Sequence, residues 1–583
     1  HDPATSLSIS WVTNTSMNIP VGYGKFSTFN SKAPTNIHQF PDFAPSSDSF
    51  KYSLLDNAYG YPKIYPVNYT SYSQITYNST FANYTSGFIH NTTLFDLEPD
   101  TSYFYQIGDS QVFNFTTAVV PGTFPSDGQG GTRPMIISVA GDLGQTPDSY
   151  MTLNHMLRDQ NTSFAIIAGD MSYSDCNGVR WDTSLEMLEP LASWKQLMVG
   201  PGNHEIEYMA NTEMAFQGYE YRWFMPDAGA PTGMHGGAHF AEDDTNTSPD
   251  CMPSEFRSNY NFGNSFYSFE NGPLHFISLN CYSQSDPDSE QYKWLVNDFA
   301  KVDRSKTPFI VIMGHCPYYS TNSHHYMEWQ TLDQQSYFEP LFMENSVNLV
   351  IAGHVHAYQR SHPVYNGEVV EDGPVYIVVG DGGNREGHAK KYVKPDPEWS
   401  AYKNDTSFGH GTITIFNDTH MQWEWFINDD DREWYSHDTA MMTTYNTEPV
   451  PVPVPVNPKK KHHSSSDIKV TAQVTFLIVL VLVVLGLFYV SFKAGLLGGP
   501  AAGSGDIKKD APALNQANYD YVPPVYQPSE EEGITNGTYS ALHQNDDQAR
   551  SPSQQLMGDH PLNQGDGVVY AASDDGMMRL SSA

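Results

Sequence analysis

Cysteine is scarce in this chain: four stand among 583 residues, Cys176, Cys251, Cys281 and Cys316, and no two form a Cys-x-x-Cys pair. That argues against a cysteine zinc site and leaves three disulfide pairings open. Cys251–Cys281 is the expected bridge, because Cys176 and Cys316 lie beside the candidate site residues named below. Positive charge is scarce as well. The 30 Lys and Arg face 66 Asp and Glu, a formal net charge of −36. A nucleic-acid binder needs a basic footprint, so no nucleic-acid partner is expected. Aromatic residues are abundant instead. The 37 Tyr, 31 Phe and 10 Trp supply material for a large core, and the length exceeds one ordinary domain.

Charge is missing altogether from residues 470–492, VTAQVTFLIVLVLVVLGLFYVSF, which Lys469 and Lys493 bracket. As a helix this run spans about 34 Å, enough for a bilayer core of about 30 Å. A core helix is rarely apolar on every face for so long, so one transmembrane helix is expected. Ten Asn-x-Ser/Thr sequons precede residue 420: Asn14, Asn68, Asn78, Asn83, Asn91, Asn114, Asn161, Asn246, Asn404 and Asn417. Only Asn536 follows. That density predicts a glycosylated, extracytoplasmic region. The chain opens on His1, and is read as processed or trimmed at that end after a cleaved signal peptide. The expected topology is type I single-pass, with the ectodomain extracellular or luminal, at the cell surface or in the endolysosomal system.

Residues 446–469 read as a Pro-rich stalk and basic linker. Within them EPVPVPVPVNP, residues 448–458, forbids helix and favours a polyproline II rod of roughly 30 Å. Residues 494–583 are polar and predict a disordered cytosolic tail. PPVY (523–526) fits a WW-domain ligand, and YSAL (539–542) resembles a tyrosine-based endocytic signal, which gives adaptor contacts. Residues 1–120 alternate as strands: LSISWVT, YSQITYNST, TSYFYQIGD and QVFNFTTA predict a small antiparallel sandwich. Residues 34–66 read as a loop insertion, and an edge strand before the first visible one is expected.

From residue 133 the texture changes. Five apolar runs each end in glycine followed by polar residues. MIISVA leads to GDLG (141–144), FAIIA to GDMSY (169–173) and KQLMV to GPGNHE (200–205). FIVIM leads to GHCPYY (314–319), and LVIA to GHVH (353–356). Continuous apolar runs suit strands buried on both faces, and α/β sheets build sites just past their strand ends. Alone, a Gly-Asp after a strand is an ordinary turn. Five matching strand ends gather Asp142, Asp170, Tyr173, Asn203, His315, His354 and His356, all of metal-ligand or hydrogen-bonding type.

GDLG, GDMSY, GNHE, GH and GHVH together resemble the five metallophosphoesterase blocks in their purple acid phosphatase form. HCPYYSTNSHHYMEW and GDGGNREG extend the resemblance over 133–435, and the N-terminal sandwich is similar to the family's fibronectin-III-like domain. The implied catalytic fold is an α/β sandwich of two mixed sheets flanked by helices. The resemblance implies that Asp142, Tyr173 and His356 bind a ferric ion, that Asp170 bridges, and that Asn203, His315 and His354 bind a divalent Fe, Zn or Mn ion. A Gly precedes His315 where some members carry a bulkier residue, which predicts a local change at that strand end.

Such a centre makes a nucleophile from water and clamps an in-line displacement at phosphorus. His204, His324 and His325 are the candidates to protonate the leaving group, His325 first. Glu328 and Asp381 are read as structural. The function expected is an acid phosphatase acting on small phosphomonoesters. A phosphodiesterase or nucleotide pyrophosphatase on the same site, and a non-catalytic signalling ectodomain, are the alternatives. Whether the chain forms a homodimer stays open.

Overall fold

A computed structural model describes residues 4–13, 19–29, 32–44, 53–54, 84–207, 214–226, 238–239, 260–429, 436–444 and 578–582. The expected stalk, transmembrane helix and most of the tail lie outside the described residues, as do YSQITYNST and Cys251. Among the described residues no helix is long and apolar enough to cross a membrane.

The alternating N-terminal runs form strands β1 (Leu7–Thr13), β2 (Val21–Lys25), β3 (Asp42–Ala44), β4 (Phe88–Leu94), β5 (Ser102–Ile107) and β6 (Val112–Thr116). One sheet has the order β3-β2-β5-β6, and a second pairs β1 with β4. Leu7, Ile9, Trp11, Val21, Leu94, Tyr105 and Phe113 form the core of this small sandwich. The Tyr105 hydroxyl donates to the Ser193 carbonyl at 2.8 Å and ties the sandwich to the domain that follows.

That domain begins with β7 (Met135–Ala140), α1 (Pro147–Arg158), β8 (Thr162–Ile167), α2 (Gly178–Ala192) and β9 (Gln196–Val199). Then come β10 (Tyr267–Asn271), β11 (Leu274–Ser278), α3 (Glu290–Phe299), β12 (Phe309–Met313), α4 (Trp329–Tyr337) and α5 (Glu339–Glu344). It continues through β13 (Leu349–Ala352), β14 (Tyr358–Ser361), β15 (Val375–Val379), β16 (Ser400–Asn404), β17 (Gly409–Asn417), β18 (His420–Ile427) and β19 (Asp438–Thr443). The helix starts are legible: Thr146 caps α1 ahead of Pro147, and the Ser289 hydroxyl caps α3.

Two mixed sheets result. A six-stranded sheet runs β9-β8-β7-β17-β18-β19, and a seven-stranded sheet runs β10-β11-β12-β13-β15-β14-β16. Parallel strands occupy β7 to β9 in the first sheet, and β11, β12, β13 and β15 in the second. The sheets face each other. Ile137 and Ile166 share one core with Val311, Ile351 and Ile377, and Phe164 meets Phe276 edge to face at 6.3 Å. On the outer face Ile310, Ile312 and Val350 pack under Leu295 and Phe299 of α3 and Phe342 of α5. This is the sandwich flanked by helices that the resemblance implied.

Three expectations are corrected. The bridge is Cys281–Cys316, not Cys251–Cys281, with Cα atoms 5.9 Å apart. Ser278 and Met313 are partners in the parallel pair β11 and β12, and each cysteine lies three residues further on, so the two emerge side by side. Cys176 is disulfide-bonded as well. The catalytic domain does not end at 435, because β19 pairs with β18 from His420 opposite Thr443 to Trp425 opposite Asp438. The tail read as disordered contains a described strand, β20 (Met578–Ser582), antiparallel to β1 with Ser8 opposite Ser582. A bare sheet edge offers unpaired N–H and C=O groups that an extended segment can satisfy.

Candidate metal centre

Three of the five strand ends set their first polar residue by a left-handed backbone turn, and the second of them sets Tyr173 in the same way. Asp142 after β7 has φ 51°, Asp170 after β8 has φ 52°, Tyr173 has φ 48° and His354 after β13 has φ 69°. L-residues rarely enter this left-handed region, and where they do a site commonly requires it. The glycines allow close approach. A Cβ on Gly202 would strike Asp170 Oδ1, and one on Gly353 would strike Asp142 Oδ2, so both carboxylates lie against bare backbone. Gly314 differs. A Cβ there meets nothing nearer than 3.9 Å, so a bulkier residue would fit and the expected disturbance at His315 is absent.

The first group is Asp142, Tyr173 and His356. The Tyr173 hydroxyl lies 3.0 Å from His356 Nε2 and 3.5 Å from Asp142 Oδ1, and His356 Nε2 lies 3.4 Å from that same oxygen. The second group is Asp170, Asn203, His315 and His354. Asn203 Oδ1 lies 3.2 Å from His315 Nε2 and 3.0 Å from His354 Nδ1, while His315 Nε2 lies 3.1 Å from Asp170 Oδ2. The ligating atoms of Asp170, His315 and His354 all fall within 4.8 Å of one another. The two groups are joined: the His354 backbone N–H donates to both carboxylate oxygens of Asp142 at 2.9 and 2.8 Å. All seven expected ligands therefore meet at one edge of the sandwich, and all seven are buried.

The ring nitrogens are already oriented. His315 donates Nδ1–H to the Ala168 carbonyl at 2.8 Å, which leaves Nε2 facing the site. His354 Nε2 is held by Glu328 Oε2 at 3.0 Å, which leaves Nδ1 facing Asn203. The other oxygen of Glu328 takes His325 Nδ1 at 2.6 Å, and the His325 ring lies 3.8 Å from that of His354. His324 is exposed beside it, with ring centroids 4.0 Å apart. His204 is buried against the Tyr173 ring at 3.9 Å, and Asp175 Oδ1 holds its Nδ1 at 2.6 Å. His204 and the His324–His325 pair thus stand beside different halves of the centre.

Some groups escape a motif reading. Glu205 accepts the N–H groups of Asp170 at 2.7 Å, Met171 at 3.0 Å and Gly202 at 2.8 Å, so one carboxylate ties two ligand turns together. Its signal was the spacing: an acid three residues past Gly202 suits a turn that needs its amides satisfied. Arg385 donates to the Tyr173 carbonyl at 2.8 Å and pairs with Asp175. Asp381 is structural as expected, since its Oδ2 accepts the Trp425 indole N–H at 2.7 Å. Glu328 does more than was expected of it, because it holds both His325 and His354.

The electrostatics suit a cation. Burial opposes charge on His315, yet Asp170 and Asp142 outweigh it and push the ring up to about 9. Burial, with His325 beside it, pulls His354 down to about 3 and keeps its nitrogens neutral. Burial and the carboxylates of Asp142 and Asp170 hold the Tyr173 hydroxyl well above its ordinary value. A cation at that oxygen reverses the balance and stabilises the phenolate. At Glu328 burial opposes ionisation, but the bonds from His325 and His354 prevail and hold the carboxyl below its usual range. Two carboxylates, three imidazoles, one amide oxygen and one phenol form a donor set that fits a pair of hard or borderline metal ions. The residues present therefore accept a dinuclear centre.

Comparison with known proteins agrees with this geometry. Residues 1–117 match the family description "Purple acid Phosphatase, N-terminal domain". Residues 103–358 match "Calcineurin-like phosphoesterase", and residues 373–435 match "Iron/zinc purple acid phosphatase-like protein C". Purple acid phosphatase 18 of Arabidopsis thaliana is 37% identical over 380 residues, 65% of this chain and 75% of that one. A phosphoenolpyruvate phosphatase of Allium cepa is 33% identical over 374 residues, 61% of this chain and 69% of that one. A purple acid phosphatase isolated from yellow lupin (Lupinus luteus) seeds shares the fold, with a TM-score of 0.56 at 18% identity over 76% of this chain and 73% of that one. With seven ligand-type side chains converging at the strand ends and a relative of this identity matched over three quarters of its length, the chain belongs to the purple acid phosphatase family of metallophosphoesterases.

Proposed function

We propose that the chain is an acid phosphatase that hydrolyses small phosphomonoesters at this dinuclear site, with ferric iron beside Tyr173 and a divalent Fe, Zn or Mn ion beside Asn203. The observation that carries it is the junction of the two ligand groups through the His354 amide on Asp142. When bound, the metal pair supplies Lewis acidity and a nucleophile at acid or neutral pH.

The chain's own residues supply the rest. Asn203, neutral among carboxylates, keeps the site from repelling a phosphate anion. His325 presents Nε2 while Glu328 fixes Nδ1, an arrangement suited to giving a proton to the leaving alkoxide. His204, held by Asp175 on the opposite half, is suited to steering the phosphoryl oxygens. Hydrogen-bonded carboxylates hold both rings, so positioning is in place before substrate arrives.

The test is a visible absorption spectrum of the purified protein with metal analysis on the same sample. A broad green-to-yellow band lost under strong reductant, with about two metals per chain, supports the assignment. Turnover of a monoester against a diester separates the phosphatase from a phosphodiesterase. Activity lost in Asp142→Asn with folding kept excludes the non-catalytic reading.

The same proposal places the catalytic domain outside the cytosol, on a type I single-pass chain anchored by residues 470–492. Support comes from the uncharged run itself and from the sequons: of the described ones, Asn161 and Asn417 are exposed and Asn91, Asn114 and Asn404 are half-buried. The tail's PPVY and YSAL would then face WW domains and endocytic adaptors. Such a crossing and the pairing of β20 with β1 exclude each other, because a tail delivered across a bilayer cannot meet the first strand of the ectodomain. Protease treatment of sealed vesicles separates them: a C-terminal epitope on the face opposite the phosphatase means a crossing, and one on the same face means the strand pairing.

A further inference from the structure

Beside the metal centre, on the far side of His325, a cavity of about 370 Å³ opens between the 317–336 segment, the Asn366–Gly367 turn and Trp399. Nothing in the phosphate chemistry uses it. Its apolar walls include Tyr319, Tyr326, Leu332 and Trp399, and the Tyr319 and Trp399 rings meet edge to face at 5.1 Å. Tyr326 and Leu332 are 47% and 39% exposed, so the rim is open. Among the described residues that line it there is no Lys or Arg.

One lining residue is out of character with those walls. Glu339 is 3% exposed at the head of α5. Its Oε1 accepts the Tyr319 hydroxyl at 2.5 Å, the Asn366 N–H at 3.3 Å and the Tyr376 hydroxyl at 3.5 Å. All three bonds fall on the same oxygen and none on Oε2, and Glu339 is one of the residues that line the cavity. Burial pushes this carboxyl up to about 7, against the pull of Tyr319, Asn366 and Tyr376, so it is protonated at acid pH and ionises as pH passes 7 or when a cation reaches it. Buried carboxylates are ordinarily paired. Aromatic faces around a carboxylate make a receptor for a cation carried on a flat ring.

We propose that this cavity is the leaving-group subsite, and that it selects phosphomonoesters whose leaving group is an aromatic ring bearing an ammonium or comparable N–H donor. The subsite rests on the phosphatase reading, since His325 is the wall shared by the cavity and the metal centre. An ester with its phosphate at the metals and its ring across His325 would lie over Tyr319 and Trp399 with its cation on Glu339. Leaving groups carrying further phosphates or carboxylates meet a carboxylate with no basic residue to offset it.

The test compares tyramine O-phosphate with phenyl phosphate on the metal-loaded full chain at about pH 7.5, where Glu339 is ionised. The kcat/KM ratio is expected to favour the amine by about tenfold, the worth of one charge-assisted contact. Glu339→Gln is expected to bring the ratio near one. Leu332→Lys does the same from an exposed position, by placing a cation at the rim without disturbing the core. Both esters turned over with equal efficiency by the wild type, or a preference for the amine that survives both substitutions, overturns the subsite and leaves the phosphatase standing. Turnover of neither ester overturns the phosphatase reading and the subsite with it.

Discussion

Glu205 accepts the backbone N–H of Asp170 at 2.7 Å through the same oxygen that accepts the N–H of Gly202 at 2.8 Å. The turn that carries Asp170 and the turn that carries Asn203 are thereby one mechanical unit. Glu205→Gln turns an amide N–H₂ towards the Met171 N–H on the other oxygen, or, if flipped, towards the Asp170 and Gly202 pair. The expected cost is ~1–3 kcal/mol of stability from an unsatisfied buried donor. A drop of about 10–100-fold in metal affinity or activity is expected with it, the usual effect of removing a group that orients a ligand. Denaturant unfolding and metal analysis of the same variant check both.

Glu328 grips two rings at once, with His325 on one oxygen and His354 on the other. Glu328→Gln keeps the shape and loses one acceptor. A variant that retains the metal beside Tyr173 but loses the second ion on dialysis is the expected result. A fall in kcat of about 10–100-fold accompanies it. Retention of both metals with unchanged kcat would count against any role for this carboxylate beyond packing.

The Cys281–Cys316 bridge closes a loop of 35 residues, and its two ends neighbour the site. His315 precedes one cysteine, and Tyr282, which follows the other, sets its hydroxyl 3.4 Å from Asn203 Oδ1. Replacing both cysteines by serine is expected to lower stability by about 3–4 kcal/mol on chain-entropy grounds. The half of the centre beside Asn203 should weaken with it. Calorimetry and metal retention read the two effects separately.

Glu220 lies away from the metals and accepts the Asn264 N–H at 2.7 Å and the Tyr260 hydroxyl. Burial pushes its carboxyl up from 4.5 to about 8. The folded state therefore holds this proton more tightly than the unfolded chain. Its contribution to stability is full below pH 4.5 and is lost as pH rises through 8. The buried His354 and His410, both pulled down to about 3 by burial, act in the opposite sense below pH 6.5. Comparing Tm at pH 5 and pH 8 in wild type and Glu220→Gln isolates the carboxyl: the variant should lose part of the wild type's gain on acidification.

Much of this was legible in the sequence, for identifiable reasons. The five strand ends could be read because an apolar run buried on both faces is continuous, and because glycine marks the point where backbone must come close to a ligand. Gly202 against Asp170 and Gly353 against Asp142 show that closeness directly. The disulfide was not legible, because pairing depends on which strands are neighbours. Nothing local to Cys281 or Cys316 says that β11 and β12 lie side by side. Glu328 was read as structural and Arg385 was passed over for a related reason: each acts on a ligand or turn more than twenty residues distant in sequence, His354 and Tyr173 respectively. The Glu339 cavity assembles from three separate segments and leaves no motif at all.

Asp142, Asp170 and Asn203 stand at the ends of strands of the six-stranded sheet, while His315 and His354 stand at the ends of strands of the seven-stranded one. Any ion held between the two sets fastens one sheet to the other. A ligand bound only by the folded state stabilises it by mass action. A cell short of the metals this site holds would then lose more than a reaction rate: the chain would open more often at this edge, proteases would reach it sooner, and its abundance would follow the metal supply.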